Sequence, residues 1–171
     1  GEETMLLGCR PDPGKSLYIF PGTHSKHIVV KDAIATDFKT YMTGELFHVM
    51  NNHSVLKNSV APGESPDSFA RGVRDARHEN LLHALFLVRS EYVLGRTSLV
   101  ENYQYLSGLI IGTELKDLFS DSGIVYLVGE GSLIDSYGIA LDILNIGDVH
   151  CVDATQALLK GHSIIASSIE T

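Results

Sequence analysis

Phe20-Pro21-Gly22-Thr23-His24-Ser25-Lys26 puts a glycine, two hydroxyls, an imidazole and a lysine into one tight turn. An apolar β-type run, Leu17 to Phe20, enters it, and a second, His27 to Val30, leaves it. In such a turn successive N–H groups can face one anion, and Gly22 lets a ligand approach the backbone. Thr23, Ser25 and Lys26 add donors, with His24 between them. The chemistry would be phosphate binding. An ordinary hairpin turn accounts for the same residues, with Lys26 merely solvating a strand end.

A second stretch of this kind is Gly129-Glu130-Gly131-Ser132, set between the apolar run Ile124–Val128 and a helical pattern carrying Leu133, Tyr137, Ala140, Leu141 and Leu144. A helix N-terminus behind glycines is where a nucleotide phosphate or ribose binds. Gly-rich strand-to-helix junctions are also plain structural turns. Glu2 and Glu3 open the chain's first helical segment, where acidic groups compensate the helix dipole. The eight histidines include no HExxH pattern and no Cys/His cluster, and His48 and His53, five apart, do not share a helix face. A protein-built zinc site is therefore not expected.

The balance of 13 basic against 21 acidic residues gives −8, which argues against nucleic acid and anionic membrane as partners. A length of 171 residues suits one domain or a large piece of one. No apolar run is long enough to span a bilayer, and no signal-peptide pattern opens the chain. Cys9 and Cys151 lie far apart without metal-type spacing, so a reduced, cytoplasmic protein is expected. The abrupt opening at Gly1 reads as a fragment.

The elements that must position these residues follow from pattern. Residues 2–9 form a short helix stopped by Pro11-Asp12-Pro13-Gly14. Three strands follow, Ser16–Phe20, His27–Lys31 and one within Ala33–Met42, forming an antiparallel unit with a tight turn at Lys31-Asp32. Thr43 caps a helix with Leu46, Val49 and Met50 on one side. After a loop at 57–66, Phe69, Val73 and Ala76 form one helical stripe. Leu82, Leu85, Phe86, Val88, Arg89 and Val93 form a second, ending at Gly95. Ser98-Leu99-Val100-Glu101 has the capping-box pattern, and Gly108 and Gly112 let another backbone pack close to that helix. Ser132 and Asp135 cap the helix after strand 124–128. Val149–Val152 is a last strand, and Asp153 caps a closing helix. The order, βββα, a helical insertion, then βαβα, predicts an α/β fold: one RNase H-like lobe of the actin and hexokinase type.

Within that order, several strings closely resemble the 2-dehydro-3-deoxygalactonokinase family. They are Pro21-Gly22-Thr23-His24-Ser25-Lys26, Phe38-Lys39-Thr40-Tyr41-Met42-Thr43-Gly44-Glu45-Leu46, His53-Ser54-Val55-Leu56, Leu85-Phe86-Leu87-Val88-Arg89 and Tyr105-Leu106-Ser107-Gly108-Leu109-Ile110-Ile111-Gly112-Thr113-Glu114. The opening Gly1-Glu2-Glu3-Thr4 is similar to the family's Arg-Gly-Glu-Glu-Thr segment. His27 departs from the family's usual tryptophan. The resemblance implies an ATP- and Mg²⁺-dependent kinase acting on the 6-hydroxyl of 2-dehydro-3-deoxy-D-galactonate, within galactonate catabolism. It also implies that residues 1–171 are the C-terminal lobe, with the N-terminal lobe outside the chain.

The resemblance assigns roles as well. Glu2 or Glu3 would be the catalytic base, and the analogy with glycerol-kinase-like enzymes favours Glu2, directly after the glycine. Gly22, Thr23, His24, Ser25 and Lys26 would hold the phosphates, and Gly129, Gly131 and Ser132 the nucleotide. Thr43 and Glu45 are candidates for substrate contact, although Glu45 also fits as helix N-terminal charge. Arg89, on an otherwise apolar helix, reads as a structural ion-pair partner rather than a ligand for the sugar acid. The alternative function is a non-catalytic actin-like module that binds nucleotide or sugar.

Overall fold

The computed structural model describes residues 1–11, 13–118 and 123–169. Its elements are α1 (Glu2–Cys9), β1 (Lys15–Phe20), β2 (Ser25–Lys31), β3 (Ile34–Tyr41), α2 (Thr43–His53), α3 (Pro66–Asp75), α4 (Leu81–Val93), α5 (Leu99–Leu115), β4 (Ile124–Gly129), α6 (Ser132–Ile143), β5 (Val149–Asp153) and α7 (Ala154–Ile169). They form two compact units. One comprises Gly1–Tyr41, Ser120–Gly138 and Gly147–Thr171; the other comprises Met42–Phe119 and Ile139–Ile146.

The first unit is built on a five-stranded sheet of order β3-β2-β1-β4-β5. β1, β2 and β3 are antiparallel, as predicted, while β4 and β5 run parallel to β1. The β2–β3 turn, expected at Lys31-Asp32, falls one residue later on Asp32 and Ala33, both at positive φ (49° and 63°), which is the backbone of a primed hairpin turn. Asp32 also accepts a hydrogen bond from the Gly14 amide at 3.1 Å. Arg10 adopts the left-handed conformation that stops α1. Asp12 of the predicted breaker lies outside the described residues. β3 is an exposed edge strand, and a register irregularity at Val29/Val30 with charges at Asp37 and Lys39 makes it a poor template for further strands.

One face of the sheet, with Tyr18, Phe20, Ile28, Val30 and Val128, packs against Met5, Leu6 and Cys9 of α1 and Ala157 of α7. The two helices cross at glycines. A Cβ on Gly8 would lie 1.7 Å from the Ala157 carbonyl oxygen, and one on Gly161 would lie 1.9 Å from that of Thr4. His27 is buried and tilts against Tyr41 with ring centroids 4.6 Å apart.

The second unit is helical, with a core of Leu56, Val60, Ala76, Ala84, Val88, Tyr105, Leu106, Leu109 and Ile110. The predicted glycine contact is present: α3 lies against α5 so closely that a Cβ on Gly108 would meet the Phe69 carbonyl oxygen at 2.1 Å. The predicted capping box at Ser98 and Glu101 is complete. The buried Asn102 amide donates to the carbonyls of Ser59 (3.0 Å) and Val88 (2.6 Å) and accepts from Thr97 Oγ1 (2.9 Å). A single fully paired side chain thus ties a loop, α4 and α5 together.

Several sequence expectations need correction. Thr43 is not the cap of α2: Met42 occupies that place, and the buried Thr43 hydroxyl donates to the carboxylate of Glu114. Ser132 begins α6 rather than capping it, and Asp135 is exposed in its first turn; the Gly131 carbonyl takes the Ile134 amide. Val49, Leu82, Phe86, Val93 and Leu133 are exposed. In α4 the buried side is Leu81, Ala84, Leu85 and Val88; a run as apolar as Leu81–Val88, broken only by His83, leaves periodicity little contrast from which to read a face. The His48 and His53 rings, expected apart, lie 5.5 Å centroid to centroid. His53 ends α2, and helical side chains lean toward the N-terminus, which carries its ring back over the preceding turn. Among the described residues Arg89 has no acidic partner in place of the predicted ion pair; it donates to the Val55 carbonyl at 3.3 Å.

Candidate active site

The carboxyl ends of the three parallel strands β1, β4 and β5 meet within the first unit. In open α/β sheets, ligands bind at such strand ends. A cleft of about 330 Å³ lies there. Its walls are the turn after β1 (Pro21, Gly22, Thr23, His24) with Lys26, the end of β4 (Val128, Gly129), the first residue of α7 (Ala154), and Glu2 and Met5 of α1.

The phosphate-type turn is the β1–β2 hairpin connection, closed by the Phe20–Lys26 pair. Thr23 and His24 are exposed at its tip, and a Cβ on Gly22 would meet nothing within 4 Å. The backbone at Gly22 is therefore open to a ligand. Lys26 turns back over the hairpin, its Nζ donating to the His24 carbonyl at 2.9 Å. The same Nζ stands 3.0 Å from Glu2 Oε1, with the two side chains 22% and 31% exposed. The hydrogen bond from Lys26 is the main reason that the Glu2 carboxyl titrates below its ordinary value, against a smaller opposing effect of burial. Glu2 is thus ionised and aimed at the turn.

Glu3, one residue on and about 100° around the helix, has its side chain 78% exposed and does not line the cleft. Of the two acids, Glu2, favoured by the resemblance, is the one that lines the cleft. Ser25 is also outside the cleft lining: it is fully buried at the start of β2, in register with Tyr41. Of the nucleotide candidates, Gly129 lines the cleft, while Gly131 and Ser132 are exposed at the junction leading into α6. Gly131 has φ +71°, so a side chain there is strained whether or not a ligand is bound. Thr43 and Glu45 belong to the second unit.

Sequence reasoning missed one contributor to this cleft and two polar contacts outside its lining. Ala154 enters the cleft because α7 starts directly after β5, where Asp153 accepts a hydrogen bond from the Gln156 amide at 2.7 Å. Glu130 accepts from the Thr155 amide at 3.0 Å, locking the β4–α6 junction to the start of α7. Glu114 is a buried carboxylate paired with Thr43. Both members of that pair lie in strings singled out above, which was the available signal.

The fold defines a class, a mixed α/β chain built on a five-stranded sheet with helices. A crystal structure of a Sinorhizobium meliloti protein, provisionally named a 2-dehydro-3-deoxygalactonokinase, matches 99% of the chain with a TM-score of 0.90 and 34% identity. The chain belongs to the 2-keto-3-deoxy-galactonokinase family, whose model matches residues 1–165. It is 36% identical to the 2-dehydro-3-deoxygalactonokinase of Escherichia coli (strain K12), over 99% of its own length and 59% of the relative's. It is 37% identical to the "Probable 2-dehydro-3-deoxygalactonokinase DgoK1" of Rhizobium meliloti (strain 1021), over 99% of its own length and 58% of that protein's. The chain thus spans somewhat less than three fifths of the curated relatives it matches. Among the described residues, no helix is long and apolar enough to cross a membrane.

Proposed function

We propose that residues 1–171 form the C-terminal, RNase H-like lobe of an ATP-dependent kinase that phosphorylates the 6-hydroxyl of 2-dehydro-3-deoxy-D-galactonate. The observation that carries this reading is one cleft holding both Glu2 and the Gly22–His24 turn at the carboxyl ends of β1, β4 and β5. Phosphoryl transfer requires positioning, neutralisation of phosphate charge, and a carboxylate oriented to take the hydroxyl proton. The turn amides and the Thr23 hydroxyl supply donors for the transferring phosphoryl group, Lys26 supplies charge, and Glu2 is the base. Gly129 and the junction to α6 carry the nucleotide further along the same edge. Thr43, held by its bond to Glu114, and Glu45 remain candidates for sugar-acid contact.

Magnesium fits this cleft as a companion of the nucleotide. Among the described residues no three His, Cys, Asp or Glu side chains gather as a metal cage. Phosphate oxygens and water would therefore hold the ion, with Glu2 the carboxylate at hand. When bound, magnesium neutralises the β- and γ-phosphate oxygens.

An assay of the intact encoded protein beside the isolated chain 1–171, each with ATP, Mg²⁺ and the sugar acid, tests the proposal. Phosphorylated sugar acid should form with the intact protein. None should form with the isolated chain, because a cleft enzyme of this kind closes ATP between two lobes. ATP binding by the intact protein without transfer would favour the non-catalytic nucleotide-binding module. Equal turnover by the isolated chain would contradict the two-lobe reading.

A further inference from the structure

Among the described residues, the titratable groups lining the cleft are Glu2, His24 and Lys26, and the contact between Glu2 and Lys26 joins the α1 wall to the hairpin wall. The Lys26 ammonium has three donors; one meets Glu2 Oε1 at 3.0 Å and another the His24 carbonyl at 2.9 Å. The second contact lies within the hairpin itself and keeps Nζ above the turn whatever happens to the first. The ion pair is partly solvated, with side chains 22% and 31% exposed. A pair this wet is weak enough for a competing anion to displace, unlike one sealed in a core. A polyphosphate carries several negative charges against the single charge of Glu2.

We propose that Lys26 is an exchangeable counter-ion, holding Glu2 while the cleft contains no phosphate and passing to the polyphosphate chain when one arrives. Lys26 is thus a positioning residue. It keeps the carboxylate ionised and parked against the turn, then releases it at the moment a phosphoryl donor is present. Release also makes Glu2 more basic, since the ammonium's hydrogen bond is what depresses its titration. The coupling to catalysis rests on the reading of Glu2 as the base; the exchange itself does not.

Phosphate and carboxylate competing for one cation must show linkage: removing either changes how strongly the other is held. The test is a double-mutant cycle read by calorimetry of tripolyphosphate binding to the intact encoded protein, without Mg²⁺ and without sugar acid. K26M should weaken binding by about tenfold, as loss of a charge-assisted hydrogen bond does. E2Q should tighten it by about three- to fivefold when Lys26 is present, and change it little in combination with K26M. K26R, which keeps the charge, should retain most of the affinity and the response to E2Q.

Equal tightening by E2Q with and without Lys26 would mean simple charge repulsion and overturn the exchange. So would no tightening, a K26R variant that behaves as K26M, or failure of tripolyphosphate to bind at all. No turnover enters this readout. A protein that shows the exchange but transfers no phosphoryl group would refute the kinase proposal alone.

Discussion

Glu2→Gln in the intact encoded protein is expected to lower kcat by about 10²–10⁴-fold with substrate affinity largely kept, the usual signature of a lost general base. Glutamine keeps the size of the side chain and a hydrogen bond to Lys26 but cannot accept the sugar hydroxyl's proton. Glu3→Gln should change kcat little, because the Glu3 side chain points to solvent and does not line the cleft. A loose phosphoryl-transfer transition state demands little proton abstraction until late, so a carboxylate suffices as base. With Lys26 bonded to it, Glu2 in the free enzyme keeps its charge to lower pH than an unpaired glutamate. The acid limb of kcat/KM should therefore be displaced to the acid side of an unpaired glutamate's and disappear in Glu2→Gln. A reversed ranking of the two variants would make Glu3 the base, and full activity in both would place the base outside this chain.

Gly161→Val should cost about 3 kcal/mol or more in stability, above the middle of the range for overpacking. The obstacle is backbone: a Cβ at this position would sit 1.9 Å from the Thr4 carbonyl oxygen, so no rotamer change relieves it. For a chain of this length that corresponds to a fall in Tm of about 6–12 °C, measurable by calorimetry. The effect reaches function because Thr4 lies on α1, two residues from Glu2. Any variant molecules that fold do so with α1 pushed off α7, so kcat should drop beyond the loss of folded protein. Unchanged Tm and kcat would mean that the α1–α7 crossing is looser than the structure shows.

The parts of the fold legible in the sequence are those where one residue type has a single physical use. The Ser98–Glu101 capping box and the Gly108–Gly112 spacing each specify a local geometry that the structure contains. The hairpin at 21–26 was legible for the same reason. Less legible were choices between neighbours of like chemistry. Glu2 and Glu3 differ only in azimuth, which depends on how α1 seats on α7, and that seating is set by Gly8 and Gly161 far along both helices. Ser25 reads as a donor beside Thr23, yet strand alternation turns it inward at the first residue of β2. The Thr43–Glu114 pair joins residues 71 positions apart, a separation at which local pattern carries no information.

Phosphoryl transfer in this cleft requires the nucleotide's phosphates to sit at the Gly22–His24 turn. A crystal structure of the intact encoded protein with Mg²⁺ and a non-hydrolysable ATP analogue would show this. The γ-phosphate should lie in the cleft, within hydrogen-bonding distance of the Thr23 hydroxyl and the turn amides, with Lys26 Nζ moved from Glu2 to a phosphate oxygen. An analogue bound in the intact protein with its phosphates away from the Gly22–His24 turn would contradict the account.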